Sequence, residues 1–376
     1  MGFLINLIIL VKNYMNIAVL LSGGVDSSVA LNLLKDAGHD ITAYYLKIWL
    51  EEDVAHIGQF GECPWEEDLG YVRQVCEQAG VPLEIVPLQR EYWDKVVSYT
   101  LAEVKAGRTP NPDIFCNKLI KFGIFLEQFG HKFDKIATGH YAQISEQNGV
   151  FQLKCAPDEV KDQTYFLSYL DQAQLSKLLF PIGHLNKPQV RDLAQKYNLP
   201  NKDRKDSQGI CFLGKFKFDE FVQHYVGTKT GDLIEFETGK KLGEHKGFWF
   251  HTIGQRRGSG LSGGPWYVVA KTPEENIVYV SKNYYAQDKI RDSFEVKKVN
   301  WILGQAPDNN NLEVKMRHGK KRYNCTLEFL ANTSETNGDT LRVKLAESDQ
   351  GIAPGQFAVF YDGDICLGGG VIKKSI

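Results

Sequence analysis

The chain has 376 residues, 43% hydrophobic and 24% charged, which suits a soluble protein of two or three domains, each able to bury its own core. Without an internal repeat or a low-complexity tract, it is neither fibrous nor a solenoid. The formal net charge of −2 argues against a protein that binds nucleic acid by bulk charge. The charge is nevertheless uneven: residues 1–200 carry 18 Lys/Arg against 24 Asp/Glu, and residues 201–376 balance at +4. Local clusters decide phosphate binding, and three fall in the second half: Lys202-Asp203-Arg204-Lys205, Gln255-Arg256-Arg257 and the stretch from Lys315 to Arg322. The seven cysteines are odd in number and include no Cys-x-x-Cys pair. That pattern gives little support to a structural zinc or iron–sulfur site and fits a reducing compartment, where an important thiol is reactive rather than structural.

In chain order, "MGFLINLIILVKNYM" holds nine mostly apolar residues from Phe3 to Val11, short of the roughly 20 that a membrane span needs. It lacks a basic leader and a small-residue cleavage site, so residues 1–14 are expected to be an appendage, with Met15 as the usual beginning and no membrane association. Ile17–Leu21, Ile41–Ile48, Leu83–Val86 and Lys135–Thr138 have the short, β-branched and aromatic character of buried strands. Helical patterns at Ser27–Ala37, Glu67–Gln78 and Tyr92–Lys105 alternate with them, and "KPQVRDLAQKY" opens with a proline that a first turn tolerates. This alternation predicts an α/β doubly wound parallel sheet over residues 15–212, with ligands at the strand C-termini. Beyond about residue 212 helical periodicity fades. Short strands in "GDLIEF", "WYVVAK" and "IVYVSK" predict a small β-rich domain over 213–284. Those in "LEVKMRH", "CTLEFL" and "TLRVKLAE" predict an antiparallel β-barrel over 285–376, with "APDNNN" and "ANTSETNGD" as loops.

The segment Ser22-Gly23-Gly24-Val25-Asp26-Ser27 joins the first strand to the first helix. Its glycines let backbone approach a ligand, and the N–H groups of the helix then face an anion. The Lys of a phosphoryl-transferring P-loop is missing, so the expected chemistry is attack at the α-phosphate of ATP with pyrophosphate held as the leaving group. Asp26 is a candidate Mg²⁺ contact, direct or through water. Two cysteines stand in distinctive contexts 95 residues apart: Cys116 before a helical pattern and beside Lys118, and Cys211 after Gly209, near Lys202, Arg204 and Lys205. A helix N-terminus and flanking cations both favour thiolate.

The string "LSGGVDSS" resembles the pyrophosphate loop of the ATP-pyrophosphatase superfamily. "AGRTPNPDIFCNKLIKF", "ATGHYA", "KDQTYFLSYL", "KDSQGICFLG", "GEHKGFWFHTIGQRRG" and "APGQFAVFYDGD", in this order, resemble the motifs of tRNA-uridine 2-sulfurtransferases, the bacterial-type wobble-uridine 2-thiouridylases. The likeness runs from about Asn16 to the C-terminus. It implies that Leu20, Leu21, Ser22, Gly23, Gly24, Val25, Asp26 and Ser27 bind ATP, with Leu46 near the adenine in place of the family's usual Met and Gly139 as a further nucleotide contact. It implies that Asn111, Pro112 and Asp113 meet the target uridine, Asp113 as a candidate general acid/base, with His140 beside the base. Lys161, Asp162, Gln163 and Gln356 would touch tRNA, and the family's Arg-Tyr contact falls on Arg317-His318. Cys116 would be the nucleophile and Cys211 the persulfide carrier, and the two would close a transient disulfide.

The activity so implied is ATP-dependent 2-thiolation of the wobble uridine by a monomer. Its partners would be the tRNA anticodon loop and a sulfur donor, either a cysteine desulfurase or a sulfur-relay protein. The location implied is the cytoplasm, while "GLSGGPWYVV" resembles cyanobacterial and plastid versions and keeps an organelle open. A small-molecule amidating synthetase of the same superfamily would need neither the paired cysteines nor the barrel. An iron–sulfur thiolase would want Cys-x-x-Cys, and a tRNA-binding protein without catalysis would have no use for the intact loop and both cysteines.

Overall fold

The computed structural model describes residues 14–48, 64–206, 217–330 and 340–375. Residues 1–13 of the expected N-terminal appendage, Cys211 with most of its motif, and the whole of the "ANTSETNGD" loop lie outside them. Strands β1 (Asn16–Leu20), β2 (Asp40–Lys47), β3 (Leu83–Pro87) and β4 (Lys135–Thr138) fall within a residue of their predicted bounds. After β4 come β5 (Ala142–Gln147), β6 (Val150–Cys155) and the short β7 (Leu178–Leu179). Five of these make one sheet in the order β3-β2-β1-β4-β7, with every pairing parallel. That order places the ends of β1 and β4 side by side, Leu20 opposite Thr138.

The first helix, Val25–Asp36, buries Val25, Val29, Ala30, Leu31 and Leu34 and ends before Gly38, which takes φ +83°. Alternating burial along β1 to β3 is weak because helices cover both faces of the sheet, so its strands read as apolar runs. Among the described residues, no helix is long and apolar enough to cross a membrane.

The central unit is a four-stranded sheet of β8 (Gly231–Glu235), β9 (Lys241–His245), β10 (Tyr267–Thr272) and β11 (Ile277–Ser281) in the order β10-β11-β8-β9. Its core contains two buried histidines, His245 and His251, with rings 5.3 Å apart. Burial, with His245 and Lys271 adding to it, brings the His251 imidazole down to about 4. Between about pH 6.5 and pH 4 the unfolded chain therefore takes up a proton that the folded chain refuses, and stability falls as pH falls through this window. The loss attributable to His251 is roughly 3 kcal/mol. Urea denaturation at the two ends of the window should show it, and His251→Gln should flatten the slope; an unchanged slope refutes the assignment.

The C-terminal strands are β12 (Ser293–Trp301), β13 (Asn311–Lys315), β14 (Tyr323–Leu330), β15 (Thr340–Leu345), β16 (Phe357–Asp362) and β17 (Ile365–Ser375). They follow the order β12-β15-β14-β13-β16-β17, and β12 pairs again with β17 to close an antiparallel barrel. Closure needs a strand that bends. β12 has register shifts at Glu295/Val296 and Lys297/Asn300, and Lys298 stands at φ +53°. On β14, Tyr323, Cys325 and Leu327 are buried and alternate with exposed residues, the period-two pattern of a strand with one face in a core.

Two features depart from the sequence reading. The helix Phe218–Val226 lies where helical periodicity was expected to fade, and its Phe221 and Val222 pack into the core of the first unit, with Tyr225 5.1 Å from Trp93. The hairpin β5–β6, within the first unit's sequence, joins the barrel's sheet instead, through Leu153 opposite Cys366. Its turn is Asn148-Gly149, both at positive φ, the tight hairpin turn that this dipeptide favours.

The first unit and the barrel are further locked by an ion pair with almost no exposure, Lys315 Nζ to Asp162 Oδ2 at 3.0 Å. Asn300 Nδ2 donates across the same joint to the carbonyls of Ser168 and Leu170.

Candidate active site

The chain leaves β1 at Leu20 and turns through Ser22-Gly23-Gly24 into the helix at Val25. Gly23 stands at φ +78°, and a Cβ there would lie 2.7 Å from the carbonyl oxygen of Asp68. Gly139, just past β4, comes so close to the helix start that a Cβ would lie 2.5 Å from the Ser27 nitrogen. Both positions demand glycine, and each brings main chain rather than a side chain to the loop. The helix has Gly24 as N-cap and no side-chain cap, so its first-turn N–H groups remain for a ligand. Ser27 Oγ braces the turn by donating to the Gly24 carbonyl at 3.0 Å. Leu20, Leu21 and Val25 point into three different cores, so what they offer a nucleotide is main chain. Leu46, at the end of β2, is half-buried against the first core, as an apolar wall for a base requires. These features fit a polyphosphate held by backbone.

Asp26, the candidate Mg²⁺ contact, stands between two donors. Its Oδ1 accepts from Lys187 Nζ at 2.7 Å and from Tyr141 Oη at 2.9 Å. The carboxylate is already paired, and among the described residues no group of three His, Cys, Asp or Glu could hold a metal ion. Lys187 also meets Asp206 Oδ1 at 2.7 Å, and Asp206 in turn meets Lys161 and Arg191, each at 2.5 Å. Burial alone would raise the Asp206 carboxyl, but hydrogen bonds from Lys161 and Lys187 outweigh it and hold the group at about 2. Arg204, expected beside Cys211, donates to the Gly23 carbonyl at 3.0 Å and pairs with Asp68.

Cys116 was expected just before a helix. The helix starts earlier, at Pro112, because Asn111 caps it by accepting from the Ile114 N–H (3.4 Å) and proline suits its first position. Cys116 therefore lies about one turn in, 2% exposed, where the helix continues with π-type winding over Cys116–Ile124. The flanking cation is also displaced: Lys118 Nζ is held by Asp171 (2.6 Å) and Gln174 (2.9 Å). Half-buried Asp113 sits in the first turn of this helix. Phe115, next to Cys116, packs on Phe357 of the barrel, with ring centroids 5.8 Å apart. The preceding loop touches all three units, since Thr109 N donates to Pro354 O (2.8 Å) and Thr109 Oγ1 to Thr252 Oγ1 (3.3 Å).

His140 links this helix to the phosphate loop. Its ring lies 5.9 Å from Phe122, it follows Gly139, and its Nδ1 is 2.7 Å from Thr138 Oγ1. Burial, with the Lys121 cation adding to it, pushes the imidazole well below its usual 6.5, so it is neutral at pH 7.

The residues expected to meet tRNA divide. Asp162 is 2% exposed, and its carboxylate takes Lys315, Ala156 N and Thr164 Oγ1, so its side chain holds the interdomain joint. Lys161 is half-buried on Asp206, and Gln163 Oε1 accepts from Tyr141 N at 2.9 Å. Arg317 and His318 are exposed; Arg317 pairs with Asp349, and His318 stacks on Phe166 with centroids 4.7 Å apart. The side-chain oxygen of Gln356, adjacent to Phe357, is buried with no hydrogen-bond partner among the described residues. Cys211 lies outside the described residues.

Sequence reasoning missed Tyr141, Lys187 and Asp206. Lys187 stands out in the sequence only as the residue before a first-turn proline, and its 161-residue separation from Asp26 leaves no local signal.

Three family models match consecutive parts of the chain: a tRNA methyl transferase HUP domain over residues 15–215, a tRNA methyl transferase PRC-barrel domain over 219–282 and an aminomethyltransferase β-barrel domain over 291–372. A tRNA-specific 2-thiouridylase MnmA from Parabacteroides distasonis is 48% identical over 364 residues, covering 95% of this chain and 99% of that protein. A tRNA-specific 2-thiouridylase MnmA from Porphyromonas gingivalis is 46% identical, covering 96% and 99%. A solved NMN synthetase from Francisella tularensis is alike at 16% identity and a TM-score of 0.33 over 56% of this chain and 72% of its own, a likeness too slight to bear on function. With relatives this similar over nearly its whole length, the chain belongs to the tRNA-specific 2-thiouridylase family.

Proposed function

We propose that this protein is an ATP-dependent tRNA-uridine 2-sulfurtransferase that replaces the C2 oxygen of the wobble uridine with sulfur. A carbonyl oxygen is a poor leaving group. Attack of that oxygen on the α-phosphate of ATP makes it an adenylate, and pyrophosphate departs into the loop Ser22–Ser27. Sulfur then arrives from a persulfide on Cys211, delivered by a donor protein. In one version the persulfide attacks C2; in the other it first yields sulfide. Either way Cys116 closes a disulfide with Cys211, AMP leaves, and an external thiol resets the pair. Mg²⁺ carried by the ATP phosphates, with Asp26 as a candidate contact, would neutralise charge on the departing pyrophosphate.

One observation carries this reading. An uncapped helix start behind a glycine turn stands beside Gly139 and His140, and the Cys116 helix touches His140 through Phe122. A nucleotide loop and a thiol-bearing helix thus meet at one residue. The meeting of three units at Thr109, just before Asn111, supports an RNA loop entering there. Extruding a base from an unpaired loop costs a few kcal/mol, which phosphate contacts offset, so binding should weaken with salt.

The test incubates the protein with ATP, unmodified tRNA and a persulfide source, digests the RNA and looks for 2-thiouridine by mass spectrometry. The expected result is 2-thiouridine at the wobble position with one AMP and one pyrophosphate per sulfur. Pyrophosphate release that depends on ammonia or an amino acid instead of tRNA would replace this reading with an amidating synthetase.

A further inference from the structure

We propose that Lys271 of the central unit binds a backbone phosphate of the tRNA anticodon arm, with Arg256 and Arg257 extending the same basic surface. The inference rests on tRNA being the substrate and goes beyond it by giving the central unit a part in holding the RNA. Lys271 lies on β10 and is half-buried. Its Nζ donates to the His251 carbonyl at 2.7 Å, and among the described residues no carboxylate stands within ion-pair distance of it. That carbonyl adjoins the joint of the three units. Thr252, next in the chain, meets Thr109 Oγ1 at 3.3 Å, two residues before Asn111. Just past β10, Pro273 packs so close to Gly107 that a Cβ there would lie 2.7 Å from Pro273 Cγ. The loop 252–257 hangs on β10 through Gly254 N to Val268 O (2.9 Å) and Val268 N to Gln255 O (3.0 Å), and it presents Arg256 and Arg257, both exposed. Three cations of one unit thus flank Thr252 and the loop it touches.

A desolvated ammonium without an anion costs free energy, and a neutral amide or hydroxyl would brace the His251 carbonyl without that cost. An anion arriving from outside removes the cost, and phosphate is the anion that an RNA loop brings. Burial alone brings the Lys271 ammonium down to about 8. The titratable groups facing it are His251 and, behind it, His245. Burial lowers both imidazoles, His251 to about 4, so both are neutral at pH 7 and above. A phosphate beside Lys271 favours the ammonium, so above pH 8 binding takes up a proton from solvent. Affinity therefore falls as pH rises through that value.

The test measures equilibrium binding of unmodified tRNA to the full chain against salt and against pH, for the wild type, K271M and K271R. At pH 7 Lys271→Met should weaken binding by about 10-fold and lower the slope of log affinity on log salt by about 1, the mark of one lost phosphate contact. Wild-type affinity should fall by about 10-fold from pH 7 to pH 9, whereas Lys271→Arg, charged throughout, should hold its affinity over that range. ATP binding by K271M should match the wild type. An unchanged salt slope in K271M overturns the proposal, since loss of a merely structural brace weakens binding without changing the number of counterions released. Equal pH dependence in the wild type and K271R overturns it too, as does a matching loss of ATP affinity in K271M. A wild type that binds no tRNA at any salt would instead defeat the reading of the substrate. Should K271M fail to fold, acylation of lysines in the wild type followed by mass spectrometry decides: Lys271 should be labelled in the free chain at pH 8 and protected by tRNA, and equal labelling overturns the assignment.

Discussion

Replacing Cys116 by Ser should lower 2-thiouridine formation by about 10³-fold or more, the scale of loss when a nucleophile is removed from a group that acts as a unit. Serine keeps the size and the helix but has neither a thiolate at neutral pH nor the ability to close a disulfide. Adenylation asks nothing of sulfur, so Cys116→Ser should still bind tRNA and release pyrophosphate at least once. Cys211→Ser should be as inactive in thiolation, but it should differ in one respect: it alone should fail to take persulfide from a donor, as read by mass spectrometry of the intact chain. Near wild-type thiolation by either serine variant ends the two-cysteine scheme. Persulfide accumulating on Cys211→Ser would exchange the two roles.

The second large effect belongs to the joint between the first unit and the barrel. Asp162→Asn should destabilise the protein by about 3–5 kcal/mol, because Lys315, with 3% of its side chain exposed, would keep a buried charge without its counter-ion. The asparagine amide oxygen could still accept from Ala156 N, so the loss comes mainly from the stranded ammonium. The double variant Asp162→Asn/Lys315→Met, which removes that charge while keeping an apolar stem on the Tyr361 ring, should recover most of the stability. Urea denaturation of the three proteins measures this. If the single variant loses less than about 1 kcal/mol, as an exposed pair would, the joint is not held in this way.

Much of the architecture was legible in the chain itself. The runs that became β1 to β4 are short, apolar and β-branched, and buried parallel strands need nothing else locally. The turn at Ser22–Gly24 was equally plain, since a glycine pair between strand and helix has few other uses. The hairpin β5–β6 also carries a strong local signal in Asn148-Gly149. Which sheet it would join was invisible, because strand pairing across some two hundred residues is decided by the edge the barrel leaves open at β17.

The site divides along the same line. Sequence by itself determined the family motifs and the glycines, because each depends on neighbours within a few residues. The helix near Cys116 was legible only in part, since it starts one turn earlier, at Pro112. Tertiary structure alone decided what the charges do. Asp26 pairs with Lys187, Lys118 with Asp171, and Asp162 with Lys315. A carboxylate or an ammonium is drawn to whichever opposite charge the fold brings within about 3 Å, and burial multiplies that attraction by excluding water. Linear order carries no record of those distances, so the partners of charged groups emerge only when the chain is folded.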